Sequence, residues 1–175
     1  MSQARVSATE PDWARERCQA FWDPGRRLLR SIRRFQSWRT KGIPFRWLKG
    51  YWILQYRFWS AVSGADIPLN ASRIGGGLVL PHPNGIVIHP DVAIGPNCMI
   101  FQQVTIGAGG SKPGVPTIGG HVDLGAGAKI LGGITIGDHA RIGANAVVLV
   151  DVPPGATAVG VPARVLPQAA EPERG

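Results

Sequence analysis

The feature that most limits what this chain can become is an aliphatic residue at every sixth position. From Ile88 the series runs Ile88, Ile94, Ile100, Ile106, Lys112, Ile118, Leu124, Ile130, Ile136, Ile142 and Val148, aliphatic at ten of its eleven positions. A second series of smaller apolar residues sits two places earlier, at Val92, Cys98, Val104, Val122, Ala128, Ile134, Ala140 and Ala146. Glycine follows the aliphatic residue at Gly95, Gly107, Gly119, Gly125, Gly137 and Gly143. An α-helix repeats near 3.6 residues and an amphipathic strand near two. A period of six calls for short strands joined by regular bends, with both apolar series turned inward as strand alternation requires. The glycines offer backbone angles at the bends that other residues resist. The pattern is that of a parallel β-helix of hexapeptide repeats. Three hexapeptides close one triangular coil, so residues eighteen apart stack.

The expected fold class is mainly β, with a short N-terminal helical region. Three stretches are expected: a helical, basic, Trp-rich region over 1–63, the β-helix over 64–166, and a disordered tail over 167–175. Residues 1–12 are polar and expected to be mobile. Leu28, Leu29, Ile32 and Phe35 recur as one helix face would, and Tyr51, Ile53, Leu54, Phe58 and Trp59 suggest a second helix, with Gly42 and Pro44 between them. All six Trp residues lie in this region, where packing is their commoner use. An earlier hexapeptide register, Ile74, Leu80 and Ile86, is offset by two from the later one, with the shift in Pro81-His82-Pro83-Asn84-Gly85. A second break, residues 109–116, has the composition of an extruded loop, and such loops often line sites. Residues 151–155 close the coil, and residues 159–165 form a last strand or cap.

Charge is unevenly placed. The chain carries +8 overall, and residues 24–65 hold ten Lys or Arg and no Asp or Glu. Such a block suits an anionic partner or forms a solvated helix face. No nucleic-acid recognition motif accompanies it. Cys18 and Cys98 fit neither a disulfide framework nor a zinc spacing, so a buried Cys98 thiol and a reducing cytoplasm are expected. No signal-peptide pattern opens the sequence, and no apolar run is long enough to span a bilayer.

The eighteen-residue spacing gives the strongest candidate site. Gly125-Ala126-Gly127 and Gly143-Ala144-Asn145 stack one coil apart. Gly107-Ala108-Gly109 joins them if the loop counts as one hexapeptide. Small residues stacked on one edge leave a narrow trough with exposed backbone amides, suited to a slender arm such as pantetheine; tight corners would also select Gly and Ala. Of the four histidines, His121 and His139 should stack as a solvated column. His89 stands where a corner glycine would. His82 lies between two prolines in the register break, where a held neutral imidazole would suit a general base. No spacing suggests a metal site.

Residues 66 to about 166 resemble the catalytic part of the serine acetyltransferases and their relatives among hexapeptide acyltransferases. The stretches that carry the resemblance are Ala65-Asp66-Ile67, His82 through Gly85-Ile86-Val87, Ile100-Phe101-Gln102-Gln103-Val104-Thr105-Ile106-Gly107, Gly125-Ala126-Gly127-Ala128-Lys129-Ile130-Leu131-Gly132, Ile142-Gly143-Ala144 and Gly160-Val161-Pro162-Ala163-Arg164. The resemblance implies left-handed coiling, a homotrimer, and direct transfer of acetyl from acetyl-CoA to a hydroxyl. It assigns His82 as catalytic base and Asp66 as the carboxylate that orients it. Ala126, Lys129 and Ala144 fall along the CoA channel, to which the stacked column adds Gly107 and Ala108, and Arg164 is suited to CoA phosphates.

Three positions depart from the family pattern: Pro81 and Pro90 stand where serine acetyltransferases carry acids, and Val115 where they carry a second histidine. Those charges help hold an amino acid. The expected acceptor is L-serine, in cysteine biosynthesis. The alternative is a sugar hydroxyl in exopolysaccharide or lipid-linked oligosaccharide assembly, with the basic N-terminal region in peripheral contact with an anionic membrane. A non-catalytic scaffold is opposed by the joint presence of Asp66 and His82. Neither a metal nor nucleic acid is called for.

Overall fold

The computed structural model describes residues 6–39, 46–70 and 72–166. Twelve short strands wind into a triangular coil with three faces. Face A stacks β1 (Val87–Ile88), β4 (Thr105–Gly107), β7 (Lys129–Leu131) and β10 (Val147–Val148). Face B stacks β2 (Ala93–Ile94), β5 (Thr117–Ile118) and β8 (Thr135–Ile136). Face C stacks β3 (Met99–Ile100), β6 (Asp123–Leu124), β9 (Arg141–Ile142), β11 (Thr157–Gly160) and β12 (Ala163–Leu166). Every pairing is parallel except β11 with β12, which folds back and caps the column.

The six-residue aliphatic series fills the coil. Ile106, Ile130 and Val148 stack directly on one another and are fully buried, as are Ile100 and Leu124. Burying each such side chain is worth roughly 1.5–3 kcal/mol. Lys112, the exception in the series, is exposed because its hexapeptide leaves the coil. Partners stand eighteen apart at Val87 and Thr105, but twenty-four apart at Thr105 and Lys129. The loop therefore adds six residues without adding a face. Ile74 bridges Ile94, twenty residues on, which matches the two-residue offset at 81–85.

The glycines that follow the aliphatic residues serve a purpose other than positive φ. None of Gly95, Gly107, Gly119, Gly125, Gly137 and Gly143 is among the positive-φ residues. A Cβ on Gly125 would lie 2.7 Å from the Ala144 nitrogen of the next coil, so most of these positions demand close stacking. The left-handed backbone falls two residues later, at Gln103 (φ 59°), Gly127 (φ 73°) and Asn145 (φ 55°) on the edge between faces C and A. Asn97, His121 and His139 do the same on the edge between B and C. Each donates its N–H to the coil above: Gln103 to Asn84 O, Gly127 to Gln102 O, Asn145 to Ala126 O. These bonds offset the cost of left-handed non-glycine residues.

Two helices sit against the first coils. The α1 helix (Pro24–Arg39) starts with proline in its first turn, where a missing N–H costs nothing, and the Asp23 side chain accepts from Arg26 N. Its Leu28, Leu29 and Ile32 are buried in the same core as the coil. The α2 helix (Arg46–Ser63) ends at Gly64, whose φ of 65° and bond to Ser60 O make a C-cap. The expected break at Gly42 and Pro44 lies outside the described residues, as does the tail over 167–175. Of the apolar residues that suggested this helix, only Trp59 is buried; Tyr51, Ile53, Leu54 and Phe58 are exposed. The α1 side chains already join the coil's core, so α2 lies along α1 with its outer face in solvent.

Residues 7–12, expected to be mobile, are instead tied down. The buried Asn97 side chain donates to Ser7 O and Glu10 O and accepts from Asp12 N. The basic block is also less free than its sequence suggests, because acids upstream of it pair with Arg26 (Asp23) and Arg33 (Glu16).

Candidate active site

Stacking assigns each candidate residue to an edge or face. The segment 81–85 forms the C–A edge of the first coil. Below it come Phe101-Gln102-Gln103, then Gly125-Ala126-Gly127, then Gly143-Ala144-Asn145, joined by the ladder of edge hydrogen bonds. His82 thus heads the column that contains Ala126 and Ala144. His82 and Ala144 are exposed and Ala126 is half-buried. Lys129 stands beside this edge on face A, where its Nζ donates to Gln103 O (2.7 Å) and Thr105 Oγ1 (3.0 Å).

The placement of Gly107 and Ala108 in this column does not hold. Gly107 pairs with Leu131, and the residue opposite Gly125 is Phe101, next after Ile100 opposite Leu124. The reason is the extruded loop: counting it as a hexapeptide slips the register by one face. Gly107 and Ala108 stand on the A–B edge, where the loop 108–116 lies. Gly133 N donates to Lys112 O, and Lys112 Nζ donates to Asp151 Oδ2 (2.7 Å), which holds the Asp151 carboxyl below its ordinary range. The upper B–C edge carries the N-terminal arm, with Gly120 pressed against the Ala8 carbonyl. Loop and arm leave the C–A edge as the open one among the described residues.

Asp66 lies at the top of face A, bridged to Val87; its N–H donates to Ile86 O and its carbonyl accepts from Ile88 N. Its carboxylate is exposed, and among the described residues no hydrogen bond links it to His82. The fold brings the pair to one end of one edge without joining the side chains. Asp66 also acts on Tyr56, whose phenol is pushed up by burial first and by this carboxylate second, while its OH donates to Ile67 O. Arg164 is exposed on β12.

The remaining histidines are elsewhere. His89 is near Asp91 on the A–B edge, 3.8 Å from its carboxylate. His121 and His139 stack as the spacing predicts, their Nδ1 atoms 2.9 Å apart, with one ring donating to the other. Burial pushes His121 below its ordinary 6.5, countered by Asp123 and reinforced by His139. Cys98 is buried, and burial pushes its thiol up to about 12. Among the described residues no three His, Cys, Asp or Glu side chains gather as a metal requires, and no helix is long and apolar enough to cross a membrane.

Sequence reasoning missed Gln102 and Gln103. Gln102 buries its Oε1 without a partner directly on the open edge, and Gln103 supplies the left-handed residue and the carbonyl that holds Lys129. Both fall in a stretch that carries the family resemblance, but only their place in the edge column gives them these roles.

The bacterial transferase hexapeptide family (six repeats) matches residues 116–149. Probable serine acetyltransferase 1 from Oryza sativa subsp. japonica is 50% identical over 98 residues, covering 55% of this chain and 32% of its own. Soybean serine acetyltransferase complexed with serine superposes with a TM-score of 0.65 at 38% identity, covering 79% of this chain and 56% of its own. Serine acetyltransferase in complex with coenzyme A from Brucella abortus gives 0.70 at 32% identity, covering 85% and 58%. The chain therefore spans less than two thirds of each of these relatives. By repeat, fold and relatives it is a left-handed β-helix protein of hexapeptide repeats, serine acetyltransferase-like over more than half its length.

Proposed function

We propose that this chain transfers acetyl from acetyl-CoA to the hydroxyl of L-serine, with His82 as general base. The observation that carries the reading is the column His82, Ala126, Ala144 on the C–A edge, which neither the loop nor the N-terminal arm covers among the described residues. Coenzyme A and serine are bound by two of the similar solved structures. In the proposed reaction His82 accepts the hydroxyl proton as the oxygen attacks the thioester carbonyl. The tetrahedral intermediate collapses, the C–S bond breaks, and the imidazolium returns the proton to the departing thiolate.

The small edge residues suit the pantetheine arm, with backbone amides as its partners. Lys129 and Arg164 offer positive charge toward the phosphates. Gly107 and Ala108, on the neighbouring edge, are left out of this chain's own trough. Asp66 is proposed as the carboxylate that steadies the imidazole. In the free chain the two do not touch, and catalytic hydrogen bonds commonly tighten only with substrate in place. We further propose a homotrimer in which an adjacent copy walls the C–A edge; exposed Val87, Val159 and Val161 on the coil support an interface. The free Cys18 and Cys98 thiols suit the reducing cytoplasm proposed for this chain.

The test is acetyl-CoA consumption by the purified chain, followed through thiol release, with L-serine against a panel of sugars and nucleotide sugars. Turnover with L-serine alone is expected. Turnover confined to a sugar overturns the acceptor, and none with any acceptor overturns the activity.

A further inference from the structure

The outer face of α2 is apolar and uncovered. Trp47, Tyr51, Leu54, Phe58 and Val62 recur at helical spacing and are all exposed, Trp47 to 72% and Leu54 to 65%. Nearby, Phe21 is 85% exposed, and Trp22 meets Trp59 of α2 edge-to-face, ring centroids 5.7 Å apart. Large aromatic side chains so exposed cost free energy in water and mark a surface meant to be covered. Apart from Asp23, which is paired with Arg26, the charges beside them are basic. Arg30 and Arg34 on α1 and Arg57 on α2 are exposed, and residues 24–65 contain no acid.

Between the helices a small open cleft is lined by Arg27, Arg30, Ser31, Tyr51, Trp52, Gln55 and Trp59. Arg27 lies over the Phe21 and Trp59 rings, 5.2 Å from each centroid, and buries its Nε without a partner. The Arg27 side chain lines the cleft, and a guanidinium pairs well with a phosphate. Tyr51 belongs to both cleft and stripe, so the two form one surface.

The geometry points to a docking surface for an anionic lipid bilayer: aromatic side chains of α2 and of the Phe21-Trp22 turn enter the interface, and lipid phosphates meet Arg27, Arg30 and Arg57. Aromatic rings and long basic side chains are the residues that settle at a membrane boundary. Helix α2 would lie in the plane of the surface, since it is not apolar enough to cross. A second copy of this chain is the weaker occupant. Symmetric pairing would bring these arginines against their own copies with no acid in the block to answer them. The inference does not depend on which acceptor the coil acetylates.

The experiment is co-sedimentation of the full chain with vesicles of phosphatidylcholine alone and of phosphatidylcholine with phosphatidylglycerol, at low and high salt. Binding to the anionic vesicles only, weakening as salt rises, is the expected result. The pair Leu54→Glu and Phe58→Glu should abolish it. Arg30→Gln and Arg57→Gln should each lower partitioning about fivefold. All these side chains are exposed, so the variants should keep the parental Tm. Equal binding to neutral vesicles, no binding to either, or undiminished binding by the Leu54/Phe58 variant overturns the inference. So does tight binding of a short RNA without vesicle binding. So does self-association without vesicle binding that the Leu54/Phe58 variant removes.

Discussion

Replacing His82 by alanine separates chemistry from binding. A serine hydroxyl is a poor nucleophile until its proton leaves, and a positioned imidazole contributes about 10²–10⁴-fold. That is about 3–5 kcal/mol of barrier. The imidazole is exposed and makes no side-chain hydrogen bond among the described residues, so its removal should change folding by less than about 0.5 kcal/mol. Ala126 and Ala144 lie two and three coils below, about 10 and 14 Å away at the usual strand spacing. The proposed trough for the CoA arm is therefore untouched. His82→Ala should lower kcat by about a hundredfold or more, with KM for acetyl-CoA and Tm unchanged. The assay is initial-rate thiol release at saturating acceptor, alongside thermal unfolding. Asp66→Asn should lower kcat less, also without a change in KM. Retention of most of the activity by His82→Ala, with the loss appearing in His89→Ala, would refute the reasoning and move the base to the A–B edge.

Ala126→Tyr and Ala144→Tyr should each raise KM for acetyl-CoA before they affect stability, since both side chains open onto the trough; an unchanged KM in both removes the column from the cofactor site. Light scattering at micromolar concentration should give three times the chain mass, and a monomer alone would sink the proposed trimer. His121→Asn, which tolerates the φ of 52°, tests the stacked imidazoles. The folded His121 holds its proton less well than the ordinary 6.5, so the unfolded chain takes up more protons and stability is lost as pH falls below 6.5. The variant should flatten the urea midpoint across that window, and an unchanged slope would clear His121 of that role. Cys98 has the opposite window: its thiol rises from an ordinary 9.0 to about 12, so the unfolded chain ionises first and stability is lost as pH climbs through 9 toward 12. Cys98→Ala should remove that part of the alkaline loss, and an alkaline profile identical to the parent's would contradict it.

The period of six determined by itself that Ile88, Ile100, Ile130 and their series would be buried, because inside and outside along a short strand is a local alternation. The stacking of His121 on His139, and of Ala126 above Ala144, was legible for the same reason: no residue is inserted between those coils. What lies above Ala126 was not legible. Whether residues 108–116 count as a coil segment or leave the coil is decided by whether they find a face to pair with, and they do not. That one choice put Phe101-Gln102-Gln103 above Ala126, and moved Gly107 and Ala108 to another edge. The corner glycines were anticipated, but the closeness of the next coil that requires them was not, since it exists only once the coils stack. Helix periodicity gave α2 an apolar face without saying which face would be covered. Only the tertiary structure decided that, because Leu28, Leu29 and Ile32 of α1 had already joined the core and left Tyr51, Leu54 and Phe58 facing water.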